Sequence, residues 1–252
     1  MSNIAVVYIS NRVSFHKMAA RSARSLVKHT KRSVDTFLFK PTGTREPEDK
    51  FAFLHVEDLK KYESDKFLLS RSVYMLEIYK QLTTKGYESI LFLDSDTYVC
   101  ADIDPLFELF RIFDFFGAHA PARHTTKTVH KVPESFPEIN LGVVGMARSR
   151  AMEWVLKEQV RLFKENEGLY GNNDQGPMRD ALWVMSTTMP LYDEYIEFAM
   201  YVLTPEWNFR FNFPTYAKNR VRILHGYSDD MESIARRANG TLGMRVFGRG
   251  VK

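Results

Sequence analysis

Ile4 to Ile9 (IAVVYI) and Ile90 to Leu93 (ILFL) run apolar without interruption. Neither alternates apolar with polar positions, which is the pattern of a strand buried on both faces within a largely parallel sheet. Val34 to Phe39, Phe113 to His119 and Val221 to Leu224 predict further strands, and Ile139 to Ala147 (INLGVVGMA) reads as an asparagine turn leading into another. Between these runs the period lengthens. Phe15, Met18, Ala19, Ser22 and Leu26 fall at helical spacing behind Ser14, a residue suited to capping. Phe67 to Leu82 predicts a helix stopped at Lys85-Gly86, and Asp104-Pro105 opens a short helix to Ile112. Ala151 to Lys164 predicts a helix that buries Met152, Val155, Leu156, Val160 and Phe163. Strands alternating with helices predict an α/β fold, Rossmann-like, with a mainly parallel central sheet flanked by helices. The simplest division is a single domain over residues 1–252, with 227–252 a basic C-terminal segment.

A chain of 252 residues, 44% hydrophobic, can bury a sizeable core. It contains no apolar run long enough to span a bilayer. Met1 to Ser10 reads as a first strand and lacks the basic-then-apolar layout of a signal peptide, so a cytoplasmic location is expected. Cys100 is the sole cysteine, which excludes an intramolecular disulfide framework and any cysteine-rich metal site. The net charge of +4 is unevenly distributed. One basic cluster is Arg12, Lys17, Arg21, Arg24, Lys28, Lys31 and Arg32, and another is Arg236, Arg237, Arg245, Arg249 and Lys252. These are either solvated helix faces and a basic tail, or surfaces attracted to an acidic polymer or an anionic membrane in peripheral contact. No nucleic-acid motif is present, and no nucleic-acid partner is expected.

The chemistry concentrates where the ILFL run ends, in Asp94-Ser95-Asp96. If the backbone stays extended there, residues two apart point to one side and both carboxylates face one point. Hard anionic oxygens at the carboxyl edge of a central strand suit Mg²⁺ or Mn²⁺. A solvated turn carries the same letters, but seldom between an apolar run and the β-prone Thr97-Tyr98-Val99. The stretch Ala120 to Glu138 lacks periodicity and reads as a long loop, with His124 and His130 as loop histidines rather than ligands. Asn172-Asn173-Asp174-Gln175 precedes an apolar helix, so capping accounts for part of it but not for Gln175.

The segment LFLDSDTYV with DIDPLF behind it resembles the Asp-x-Asp region of glycosyltransferases of the GT-A fold, in particular glycosyltransferase family eight. The resemblance continues through Asn140-Leu141-Gly142, Asp174-Gln175, Trp207-Asn208 and His225-Gly226 in the family's order. It implies that Asp94 and Asp96 bind a divalent metal completed by His225, which read alone would be a structural histidine. An imidazole beside carboxylates favours Mn²⁺ over Mg²⁺. It implies a nucleotide-sugar donor touched by Tyr8, Ser10 and Asn11 at the end of the first strand, with Tyr8 stacking on the base and Asn11 bonding its edge. It implies that Ser95 belongs to the donor site, that Arg71 grips phosphate or sugar, and that Asn140, Asp174 and Gln175 handle the reacting sugar. Trp207 and Asn208 are expected to form one wall. Gly176 stands where many members carry a second acid, and no lysine follows Gly226, so a basic diphosphate partner is expected from Arg236, Arg237 or the tail.

The implied reaction is transfer of a sugar from a UDP-linked donor to a hydroxyl of a glycan, a lipid-linked acceptor or a protein, with retention by same-face substitution. Two competitors stand beside it. A haloacid-dehalogenase-type phosphatase also ends an apolar strand in Asp-x-Asp, with the first Asp as nucleophile. A catalytically silent sugar-nucleotide-binding module would keep the fold and lose turnover.

Overall fold

A computed structural model describes residues 3–10, 12–44, 54–62, 67–122, 127–171, 173–188, 197–241 and 243–251. Strands β1 (Ile4–Ile9), β2 (Asp35–Pro41), β3 (His55–Leu59) and β4 (Ser89–Leu93) are joined through helices α1 (Val13–His29) and α2 (Phe67–Thr84). A short strand β5 (Thr97–Val99) and helix α3 (Asp104–Leu109) lead to β6 (Phe115–His119) and β7 (Ile139–Ala147). Helices α4 (Arg150–Glu165), α5 (Glu167–Tyr170) and α6 (Gln175–Thr187) precede β8 (Met200–Leu203). The last part holds β9 (Phe209–Arg210), β10 (Thr215–Ala217), β11 (Ile223–His225), α7 (Met231–Ala238) and β12 (Arg245–Phe247).

Among the described residues the central sheet has seven strands in the order β3-β2-β1-β4-β7-β6-β8. All neighbouring pairs are parallel except those made by β7, which runs against β4 and β6. The fold is therefore the expected α/β one, with a mostly parallel sheet flanked by helices. The antiparallel strand has a functional consequence. The carboxyl ends of β1 and β4 share one sheet edge with the amino end of β7, and Asp94 N–H donates to the Gly142 carbonyl at 2.8 Å.

Unbroken apolar runs form β1 and β4 because both sheet faces are covered. Ala5, Val7, Ile90 and Phe92 pack with α2, α4 and α6 residues such as Met75, Ile78, Met152 and Leu182. Ile4, Val6, Tyr8, Leu91 and Leu93 pack on the other face with Ala19, Ala23 and Leu26 of α1 and Leu106 and Phe107 of α3. Truncating one such residue to alanine in a core of this kind costs about 2–5 kcal/mol. A smaller cluster (Phe209, Phe211, Leu224, Met231 and Ile234) ties β9, β11 and α7 together. The basic C-terminal segment is thus folded in rather than trailing as a tail. β12 pairs with β10, and Val251 N–H donates to the Phe211 carbonyl. No helix among the described residues is long and apolar enough to cross a membrane.

Candidate functional site

The loop after β4 and the strand pair β5–β11 build the site. Thr97 N–H and its hydroxyl both donate to the Asp94 carbonyl, at 3.0 and 2.8 Å, so Asp94 to Thr97 is a turn and not extended chain. The carboxylates converge through this turn, which corrects the expectation from strand alternation. β11 then lies antiparallel to β5 with His225 opposite Thr97, and Gly226 N–H donates to the Asp96 carbonyl at 3.0 Å. His225 Nε2 consequently stands 3.4 Å from Asp94 Oδ2 and 3.3 Å from Asp96 Oδ1. One ligand atom from each of Asp94, Asp96 and His225 lies within 4.8 Å of the others, close enough to share one ion.

The two carboxylates border a cavity of about 650 Å³, a size suited to a small-molecule ligand. Asp94, Ser95, Asp96, Asn140, Asp174 and Gln175 line it together with Arg71 and Arg210. Ile9, Phe15, Met18 and Tyr227 add apolar and aromatic surface. Counting Asp94, Asp96 and Asp174 against Arg71 and Arg210, the wall carries one excess negative charge before a cation enters. Three protein donors, mixed oxygen and nitrogen, fit a divalent ion that keeps open positions for further ligands, and the nitrogen favours Mn²⁺.

Arg71 is the charge centre behind the candidate metal ligands. It donates to Asp174 Oδ2 at 2.5 Å, to Asp94 Oδ1 at 2.8 Å and to the Leu141 carbonyl at 2.8 Å. Burial works to raise the Asp94 pKa, but Arg71, His225 and Arg210 outweigh it and hold that carboxyl well below the usual carboxylate range. Burial dominates at Asp174 and raises its pKa despite Arg71. For His225 burial acts downward, and the hydrogen bonds to Asp94 and Asp96 outweigh it, so its pKa is raised. Asp174 occupies the N-cap position of α6 without capping it, since its carboxylate is turned to Arg71, and Asn173 Oδ1 accepts the Gln175 N–H instead.

Several expected donor contacts are placed elsewhere. Tyr8 is fully buried on the α1 face and cannot stack on a base. Its hydroxyl lies 3.0 Å from Ser22 Oγ, which lies 2.8 Å from Thr97 Oγ1. Because the Thr97 proton goes to Asp94, Ser22 donates to Thr97 and Tyr8 to Ser22, so Tyr8 props the motif turn from beneath. Ser10 is also buried and donates to the Arg12 carbonyl at 3.1 Å, away from the cavity. Asn11 and His124 lie outside the described residues. Ser14 does not cap α1, whose N-cap is Arg12, and it lines the cavity instead. Trp207 packs under Arg222, whose Cζ is 4.6 Å from its ring centroid, while its neighbour Asn208 enters the site. Arg236 and Arg237 are exposed on α7 and do not line the cavity. His130 stays in its loop, its backbone N–H held by Asp180.

One site residue escaped sequence reasoning. Arg210 lines the cavity because β9 runs parallel to β11 with Arg210 opposite His225. Its Nη1 is 3.5 Å from His225 Nε2, and its buried Nε has no hydrogen-bond partner among the described residues. The aromatic context of LTPEWNFRFNF is the one sequence signal near Arg210. Asn208, expected as part of one wall, is 96% shielded and stands 2.7 Å from His225 Nδ1 through its Oδ1. Cys100 is no hidden nucleophile, for burial pushes its thiol up to about 12. The chain matches no protein-family model and no curated protein.

Proposed function

We propose that this chain is a metal-dependent glycosyltransferase of the GT-A kind, moving a sugar from a nucleoside-diphosphate donor, UDP-linked, to an acceptor hydroxyl. The observation that carries the reading is the meeting of Asp94, Asp96 and His225, from separate parts of the chain, at one cavity with Arg210, Asn140 and Gln175 beside them. When bound, a divalent ion supplies Lewis-acid neutralisation of the charge developing on the departing diphosphate.

The chain's own residues do the remaining work. Asp94, Asp96 and His225 hold the cation, and Arg71 keeps Asp94 ionised for it. Arg210, with an uncommitted buried N–H, is the diphosphate partner in place of a lysine after Gly226. Phe15 and Met18 of α1, not Tyr8, offer the apolar wall for the base. Asn140 and Gln175 orient the sugar and the incoming hydroxyl. Asp174 is bound to Arg71 and is poorly disposed to act as a nucleophile, which supports same-face substitution with retention. The same reasoning weakens the phosphatase alternative, in which Asp94 would attack phosphorus. One Asp94 oxygen is taken by Arg71 and the other faces His225.

The test is incubation with Mn²⁺ and a panel of nucleotide sugars, without acceptor, scoring free nucleoside diphosphate. Release from one donor that disappears in Asp96→Ala is the expected result. Mn²⁺-dependent donor binding that never leads to transfer, whatever glycan, lipid-linked or protein acceptor is supplied, would indicate the silent module. Absence of metal and donor binding would overturn the assignment.

A further inference from the structure

We infer that Asn208 is a positioning residue that relays to His225 the direction which the Gly142 N–H gives, at Asn140, to a buried hydrogen-bond chain running from Gln175 to His225. The chain makes His225 present an Nε2 lone pair to the cation and Gln175 present N–H to the sugar. This rests on the metal-dependent reading above.

The direction follows from one backbone donor. Gly142 N–H can only donate, and it reaches Asn140 Oδ1 at 3.1 Å, which fixes the oxygen end of the Asn140 amide. Asn140 Nδ2 therefore donates to Gln175 Oε1 at 3.1 Å. Asn208 faces both Asn140 oxygens, Oδ1 at 2.9 Å and the carbonyl at 3.4 Å, so its amide nitrogen must point that way. A flipped Asn208 would set its oxygen against two acceptors in a buried place, at a cost of the kind that natural structures avoid. Asn208 Oδ1 is thereby left for His225 Nδ1 at 2.7 Å, and because that oxygen only accepts, Nδ1 carries the hydrogen. Nε2 of the neutral ring is then bare, and it is the atom that faces Asp94 and Asp96. A bare nitrogen beside two carboxylates is an arrangement that a cation completes.

At the other end, Gln175 has its oxygen engaged by Asn140, and Nε2 is the group it has to offer to the cavity. Gln175 thus serves as a donor to an oxygen of the sugar. Asn140, Asn208, Gln175 and His225 are all at least nine-tenths buried, so water does not compete for these bonds.

The test reads the His225 tautomer directly. Histidine ring ¹⁵N shifts are recorded on the metal-free protein at a pH where the ring is neutral, and Mn²⁺ binding to the same samples is measured by calorimetry. Nδ1–H with an unprotonated Nε2 is expected for the native chain. Asn208→Leu removes the acceptor, so the ring should move to Nε2–H against the carboxylates, with Mn²⁺ affinity falling about tenfold or more. Asn208→Asp keeps an acceptor for Nδ1 and should keep the tautomer, while its second oxygen, set against the two Asn140 oxygens, should lower stability. An Nε2–H ring in the native protein, or a tautomer and affinity unchanged in Asn208→Leu, would overturn the inference. Should Asn208→Leu fail to fold, the native tautomer and Asn208→Asp still decide it. A native ring that is Nδ1–H in a protein that binds no Mn²⁺ would refute the metal reading alone, leaving the chain's polarity standing.

Discussion

A methyl group at Gly142 would sit 2.0 Å from Cε1 of His225 and 2.9 Å from Asp94 Oδ2. The glycine of the Asn-x-Gly segment is therefore the space into which the imidazole packs. Gly142→Ala is expected to push the ring off the carboxylates, lowering Mn²⁺ affinity at least tenfold and costing about 1–3 kcal/mol by overpacking. Gly168→Ala, where the added carbon meets nothing within 4 Å, is the control. Calorimetry and urea denaturation check both, and normal Mn²⁺ binding by Gly142→Ala would show that the ring's position is not needed.

Arg71 neutralises two carboxylates 80 residues apart in the chain, Asp94 in the turn after β4 and Asp174 at the start of α6. Arg71→Met leaves Asp174 buried beside another acid and should cost about 3 kcal/mol or more. Arg71→Lys should recover only part, since one ammonium lacks the fork that reaches both. Adding Asp174→Asn to Arg71→Met should restore much of the urea midpoint by removing the stranded charge. A double variant no more stable than Arg71→Met would show that the loss lies in packing.

The raised pKa of His225 sets a pH dependence with a definite sign. In the metal-free protein the proton on the ring adds stability in full below the unfolded-state pKa, and this is lost as pH rises through the folded-state value. Asp94, held well below the usual carboxylate range, stays ionised throughout that window. Mn²⁺ competes with the ring proton, so its affinity should climb with pH and level off once the ring is neutral. Melting temperatures in Mn²⁺ and in EDTA should therefore draw apart as pH rises across the neutral range. A gap that narrows instead would remove His225 from the ligand set.

Arg210 is expected to separate anion binding from metal binding. Arg210→Ala should weaken nucleoside-diphosphate affinity about tenfold or more, by loss of a charge-assisted contact. Mn²⁺ affinity should hold or improve, because a positive group 3.5 Å from His225 Nε2 has been removed. Titration of UDP and of Mn²⁺ separately checks this, and an equal loss in both would make Arg210 a structural support of the metal site.

Much of this was legible along the chain. Strands β1 and β4 announced themselves because burial on both faces leaves no polar position, and Asp94 and Asp96 stood out because charge seldom interrupts such a run. The same double burial hid the fate of Tyr8. When both faces are apolar, alternation does not say which one meets the cavity, and only the packing of α1 over Tyr8 decided it.

Local pattern thus determined the elements and the paired carboxylates at the end of β4, and the order of motifs picked out the candidates Asn140, Gln175 and His225. The partners of the charges and amides were decided by tertiary structure. Arg71 and Asp174 are 103 residues apart, Asn140 and Asn208 are 68 apart, and Arg210 meets His225 only through the register of β9 on β11. Hydrophobic periodicity is a property of neighbours in sequence and can be read there. Electrostatic pairing and hydrogen-bond direction depend on through-space distances of a few ångströms, which exist only once the sheet has brought β4, β7 and β11 to one edge.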